Sequence, residues 1–149
     1  MLRAAIFAVS IVAAVPLAAE PNIMSAPDAF EAVRNDEMIL IDIRSPGEWA
    51  ETGVAEGALA LTMHSPEFAG KITSLLNANQ GVPVGLICAT GGRTEYVVSI
   101  LAENGFPDVI DVSEGMIGNT RGAGWIERGL PLITSEEAQA AYRLVSLRR

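Results

Sequence analysis

Cys88 is the only cysteine in this chain, and its neighbours are of the kinds that activate a thiol. It closes the apolar run Val84-Gly85-Leu86-Ile87. Ala89-Thr90-Gly91-Gly92 follow, and Arg93 and Thr94 then open an apolar, helix-like segment. A loop running from a strand into a helix start turns backbone N–H groups inward, and Gly91 and Gly92 permit backbone conformations closed to other residues. Such a loop is an anion-binding nest, strengthened by the positive end of the helix dipole. With a cysteine at its rim, the held anion becomes the thiolate. Helix N-termini and nearby cations lower a thiol pKa from about 8.5 into the range of roughly 3.5–7.5. Cys88 is therefore the predicted nucleophile and Arg93 its cation. Ala89, Thr90, Gly91, Gly92 and Thr94 form the predicted substrate cradle, with the two threonine hydroxyls as extra donors. The alternative is an inert cysteine buried at a strand end, a common fate of cysteines. A nucleotide P-loop is excluded, because no Lys follows the glycines.

The elements that must position this loop alternate between strand and helix. Apolar runs predict strands over 38–43, 82–88 and 109–112, with a weaker one over 58–61. Their near-continuous apolar character suits a parallel sheet covered on both sides. Helices are predicted between them. Ser25, Pro27 and Asp28 start the first, through a cap and a short capping box, and Ala29, Phe30 and Val33 form its apolar face. Further helices are predicted over 46–52, anchored by Trp49, over 66–77 and over 93–104. A short turn of helix over 125–128 follows a glycine-rich loop. The tail, 135–149, is helical by pattern, with Ser135 as its cap, acids early and arginines late. The predicted fold class is α/β: a central, mainly parallel sheet with helices on both faces and an extra C-terminal helix. In such sheets chemistry sits beyond the carboxyl ends of the strands, where Cys88 falls.

The bulk numbers narrow the function. With 149 residues, one domain is expected, and 50% hydrophobic residues support a full core. The net charge of −8 disfavours nucleic acid and anionic membranes as partners. Residues 1–19 read as a signal peptide: Arg3 is followed by an uncharged stretch that closes on Ala18 and Ala19. An uncleaved N-terminal anchor is the alternative, and only then is a membrane a partner. Sixteen uncharged residues fall short of the roughly 20 that span a bilayer. Export, with a periplasmic location, is expected. One cysteine cannot form an internal disulfide, so a lone thiol in an oxidising compartment invites either an intermolecular bridge or a reactive role. His64 is the only histidine, without a cysteine nearby in sequence; it is read as a surface residue. No metal and no cofactor are expected.

Five segments in order resemble the single-domain rhodanese-like sulfurtransferases. The loop from Cys88 to Thr94 looks like that family's active-site loop: cysteine, a basic or polar residue, Ser/Thr, Gly, any residue, Arg, Ser/Thr. Asp42-Ile43-Arg44 resembles its Asp-x-Arg strand end, and Glu48-Trp49 its Glu-aromatic pair. Gly53-Val54-Ala55-Glu56-Gly57-Ala58 is similar to its Gly-His-Ile-x-Gly-Ala turn. Glu114-Gly115-Met116, Gly124-Trp125 and Gly129-Leu130-Pro131-Leu132 match its closing segment. The likeness spans residues 25–132 and implies covalent sulfur transfer. The Cys88 thiolate would attack the outer sulfur of thiosulfate or a similar small anionic donor, and a persulfide would form. A thiol, a protein thiol or a cyanide-like acceptor would then take the sulfur. Asp42, Arg44 and Glu48 are read as braces near the site, and Trp49 and Trp125 as core residues.

Three departures matter. Val54 stands in the place of the family's histidine, a change of packing. Ala89 replaces the frequent basic residue of the loop. Residues 117–123 look longer than the family's usual link, and Arg121 within them is a candidate for the missing charge. The competing readings are a non-catalytic sulfur carrier, a thiol redox sensor, and a cysteine phosphatase. Phosphatases of that kind place five residues between Cys and Arg, whereas four separate Cys88 from Arg93.

Overall fold

The computed structural model describes residues 22–147. The leader expected over 1–19, and Arg148 and Arg149 of the expected tail helix, lie outside the described residues. In chain order the elements are β1 (Ile23–Met24), α1 (Ala26–Arg34), β2 (Ile39–Asp42), α2 (Pro46–Thr52), β3 (Val54–Ala55) and β4 (Leu59–Ala60). Then come α3 (Phe68–Ala78), β5 (Val84–Ile87), α4 (Gly92–Glu103), β6 (Ile110–Val112), α5 (Gly124–Glu127), β7 (Leu132–Ile133) and α6 (Ser135–Ser146).

Five strands form one sheet in the order β1-β6-β5-β2-β4, and every pairing in it is parallel. The fold class is α/β as expected, with a central parallel sheet between helices on both faces. The alternation of side chains across the pleat divides the core in two. Leu40, Ile87 and Val112 face one way and pack with Ala26 and Ala29 of α1, Trp49 of α2 and Trp125 of α5. Ile41, Leu86 and Cys88 face the other way and pack with Ile72 and Leu75 of α3 and Val97, Val98 and Leu101 of α4. Helix α6 touches both halves, through Ala138 on the first and Ala141 and Val145 on the second. Trp49 and Trp125 are both buried, and the Trp125 ring meets Phe30 edge-on at 5.7 Å.

The structure corrects several boundaries. Strand β5 ends at Ile87, so Cys88 is the first residue beyond it. The Cys88 carbonyl has left the ladder and accepts the Met116 N–H at 2.8 Å instead. Helix α6 is capped by Thr134, not Ser135, in a reciprocal box with Glu137. Asp28 accepts the Ser25 hydroxyl at 2.6 Å. Three two-residue strands carry no sequence signal of their own: β1 beside β6, and the antiparallel pair β3–β7 that ties residues 54–55 to 132–133.

Candidate active site

The sharp turn after β5 decides where the thiol goes. Gly91 has φ +86°, a conformation that favours glycine, and a Cβ there would collide with the Ser113 carbonyl. This turn folds the loop back over the cysteine, and the Gly91 N–H donates to Cys88 Sγ at 3.2 Å. Thr94, in the first turn of α4, brings its Oγ1 to 3.6 Å from the same sulfur while donating to the Gly91 carbonyl at 2.8 Å. Cys88 has 0% of its surface exposed. The expectation of a thiol at the rim of the nest is thus corrected. The sulfur sits beneath the loop, because one backbone N–H and the Thr94 side chain close over it.

Arg93 is likewise not a free cation. Its two terminal nitrogens grip Glu48 at 2.9 and 2.5 Å, and about a third of each side chain is exposed. The Glu48 carboxylate raises the proton affinity of Arg93, burial opposes it, and the nearby Cys88 adds to the rise. Glu48 is also the third residue of α2. Its Oε2 accepts the Ser45 N–H at 2.9 Å and completes a capping box with that serine. One carboxylate therefore starts a helix and fixes the arginine of the catalytic loop. The Arg93 hydrogen bonds hold the Glu48 pKa down to about 2, against burial and with help from Ser45.

A folded-state pKa below the unfolded value means that Glu48 stabilises the protein fully above pH 4.5 and progressively less as pH falls toward 2. Glu48→Gln should therefore be less stable than the wild type by a constant margin near neutral pH. That margin should shrink through the acid range. Urea midpoints measured from pH 7 to pH 3 check this; a margin that grows on acidification contradicts it.

Asp42 and Arg44 sit behind this pair with 0% exposure each. Arg44 Nη2 meets Asp42 Oδ2 at 2.7 Å and the Gly53 carbonyl at 2.8 Å, while Nη1 reaches Thr52 Oγ1 at 2.9 Å. The pair staples the start of the 43–53 segment to its end. Ala89 and Thr90 line the loop, Thr90 exposed and Ala89 half-buried; Gly92 is exposed at the start of α4.

Residues 117–123 pack directly on this loop. Asn119 Nδ2 donates to the Thr90 carbonyl at 2.8 Å and to the Ser113 carbonyl at 2.7 Å. Gly115, at φ +67°, lets the chain pass so close to the loop that a Cβ would strike the Ala89 carbonyl. Arg121 faces the carboxylates of Asp111 and Glu95, each at 3.8 Å, and so does not stand in for the basic residue that Ala89 displaces. His64 is exposed. Among the described residues no group of three His, Cys, Asp or Glu side chains is placed to hold a metal ion.

Sequence reasoning missed two residues of this neighbourhood. Asn119 holds the loop from an insert whose conformation no local pattern announces. Asp111 lies buried in β6, and the one available signal was an acid within the apolar run 109–112.

Residues 25–118 match the family described as the rhodanese-like domain. A protein of Rickettsia prowazekii, RP600, is 23% identical over 116 residues, which cover 74% of this chain and 94% of the relative. A rhodanese-related protein of Thermoplasma volcanium superposes with a TM-score of 0.57 at 25% identity, covering 75% of this chain and 97% of the other. The polysulfide-sulfur transferase homodimer of Wolinella succinogenes superposes with a TM-score of 0.53 at 27% identity, covering 76% and 79%.

Proposed function

We propose that this chain, which belongs to the rhodanese-like domain family, is an exported sulfurtransferase that works through a persulfide on Cys88. The observation that carries the reading is the Gly91 N–H donated to Cys88 Sγ at the N-terminus of α4. That N–H and the positive end of the helix stand where they can hold the negative charge that sulfur transfer places at this position. In the first step the Cys88 thiolate attacks the outer sulfur of thiosulfate. The S–S bond of the donor breaks, sulfite leaves with the electron pair, and the enzyme keeps the sulfur as Cys88–S–S⁻. In the second step a thiol or cyanide attacks the terminal sulfur and Cys88 leaves as thiolate, so the site ends as it began. Arg93 and the loop N–H groups stabilise the anions of both steps. Because Cys88 has no exposed surface, the loop must open to admit the donor. The Wolinella relative is described as a polysulfide-sulfur transferase, which supports an anionic sulfane donor. The leader-like residues 1–19 support export to the periplasm.

A carrier that passes its sulfur only to a protein thiol is favoured by one observation. The arginine of the loop is matched by Glu48, and Ala89 adds no charge, so a small dianion finds little unpaired positive charge. The experiment that separates the readings is intact mass after thiosulfate or polysulfide treatment, followed by cyanide. One added sulfur that cyanide removes supports the transferase. An adduct inert to cyanide and to small thiols supports the carrier. Hydrolysis of an aryl phosphate with no sulfur adduct overturns both in favour of a phosphatase.

A further inference from the structure

Three successive carbonyls of the catalytic loop are held from outside it. The Cys88 carbonyl accepts the Met116 N–H at 2.8 Å, and the Ala89 carbonyl accepts the Ile117 N–H at 2.9 Å. The Thr90 carbonyl accepts one hydrogen of the Asn119 side-chain amide at 2.8 Å. In a trans peptide the C=O of one residue and the N–H of the next point opposite ways, and these peptides are trans. Holding the three carbonyls on the 116–119 segment therefore turns the N–H groups of Ala89, Thr90 and Gly91 to the loop's other side. The third of these is the N–H that meets Cys88 Sγ at 3.2 Å. Two of the three anchoring bonds come from backbone. Only the bond to Thr90 depends on a side chain.

The local structure aims that side chain. Asn119 opens the turn 119–122, where its N–H and carbonyl exchange hydrogen bonds with Gly122 at 2.8 and 3.2 Å. Its Oδ1 accepts the Arg121 N–H at 2.6 Å, a bond typical of asparagine at the head of a turn. With the oxygen so engaged, both Nδ2 hydrogens point at the loop and its support. One goes to Thr90 and the other to the Ser113 carbonyl, 2.7 Å away. The segment carrying Asn119 is itself anchored: Met116 is fully buried, and Glu114 Oε2 accepts the Gly124 N–H at 3.0 Å, which ties its two ends together. Thr90 and Asn119 are both exposed, so water competes for the bond between them.

We infer that Asn119 is a positioning residue, whose amide latches the catalytic loop in the conformation that faces its N–H groups toward the sulfur. Release of the Thr90 carbonyl, the most exposed of the three anchors, begins the opening that uncovers Cys88. The inference rests on the transfer reading for its purpose, because a donor needs the loop open and the chemistry needs it closed, with its N–H groups aligned on the developing charge.

The test follows amide exchange residue by residue, by NMR, in the full chain and in Asn119→Asp and Asn119→Ala. Aspartate keeps the shape and an oxygen for the Arg121 N–H, but it sets an acceptor where Nδ2 donated. Alanine removes the donors and the turn bond together. The Gly91, Met116 and Ile117 amides should exchange about fivefold faster or more in both variants, as expected for losing one exposed hydrogen bond. In Asn119→Asp the Gly122 amide, held by the turn, and the amides of β2 and β5 should keep their rates. Faster loop exchange in Asn119→Ala alone would assign the residue to its turn and overturn the inference. Unchanged loop exchange in both variants overturns it too, as does an equal acceleration in β2 and β5, which would mean general destabilisation. In thiosulfate–cyanide turnover kcat should fall about fivefold in both variants, with KM for thiosulfate within about twofold of the wild type, since alignment is lost and entry is not. An unchanged kcat beside faster loop exchange denies Asn119 its positioning role. A wild-type chain that takes up no sulfur would defeat the transfer reading alone, because the exchange pattern needs no donor and is decided separately.

Discussion

Cys88→Ala is expected to abolish sulfur uptake and to lower turnover of thiosulfate with cyanide by about a thousandfold or more. The chain holds no second cysteine, so no other side chain can carry the transferred sulfur. The structural cost of the same change is small by comparison. Cys88 belongs to the buried cluster that also holds Leu86, Val97 and Val98, and deleting one buried atom of this size costs about 1–2 kcal/mol. Cys88→Ser separates the two effects further. A serine hydroxyl can still receive the Gly91 N–H, so the loop keeps its anchor, but it does not ionise near neutral pH. Serine should therefore fold close to the wild type and transfer no sulfur. The measurements are steady-state thiocyanate formation, intact mass after donor treatment, and a urea unfolding curve for each variant. Turnover surviving in the serine variant would place the chemistry somewhere other than residue 88.

What the sequence disclosed follows from how local each signal is. The short helix α2 is announced within seven residues, Pro46 to Thr52, and the strands β2 and β5 lie in near-continuous apolar runs, so both were legible, although the capping box of Ser45 with Glu48 was not read. The junction of β5 with α4 was legible for the same reason. What lay beyond reach was set by partners distant in the chain. The thiol was expected at a rim, and it is covered because Thr94 packs over it and because Gly91 turns tightly under the Ser113 carbonyl. Arg93 reads from its neighbours as a cation for the sulfur, yet it closes on Glu48, 45 positions away. The strands β1, β3 and β7 are two residues each, too short to show a period, and exist only because longer segments bring them alongside a partner. Asp111 illustrates the converse. An acid in an apolar run is visible in one dimension, but its surroundings come from β6 lying beside β5 and from Arg121 of the segment that follows.

Arg44→Met is expected to destabilise the protein by about 3–5 kcal/mol, the largest loss of stability among the changes considered. The methionine fills much of the volume but leaves Asp42 as a buried charge with no counter-ion, on a residue that solvent does not reach. It also removes the hydrogen bonds that Arg44 gives to the Thr52 hydroxyl and the Gly53 carbonyl. Domains of this size are stable by only about 5–15 kcal/mol, so the variant should stand near the edge of unfolding at physiological temperature. The loss comes chiefly from the orphaned charge, and that has a consequence for the double variant. In Asp42→Leu with Arg44→Met no charge is left buried, and much of the stability should return, since buried ion pairs compare poorly with apolar packing. Activity should not return with it. The segment from Arg44 to Gly53 carries Ser45 and Glu48, and Glu48 is what grips Arg93. Without the arginine that ties the start of this segment to its end, Glu48 loses its fixed position and the guanidinium at the mouth of the sulfur site goes with it. Urea unfolding of the single and double variants, beside their thiocyanate-forming rates, tests both halves. A single variant that loses less than about 1 kcal/mol would mean that the pair is as weak as a surface one. A double variant that regained full activity would mean that the ion pair stabilises the fold without positioning the site.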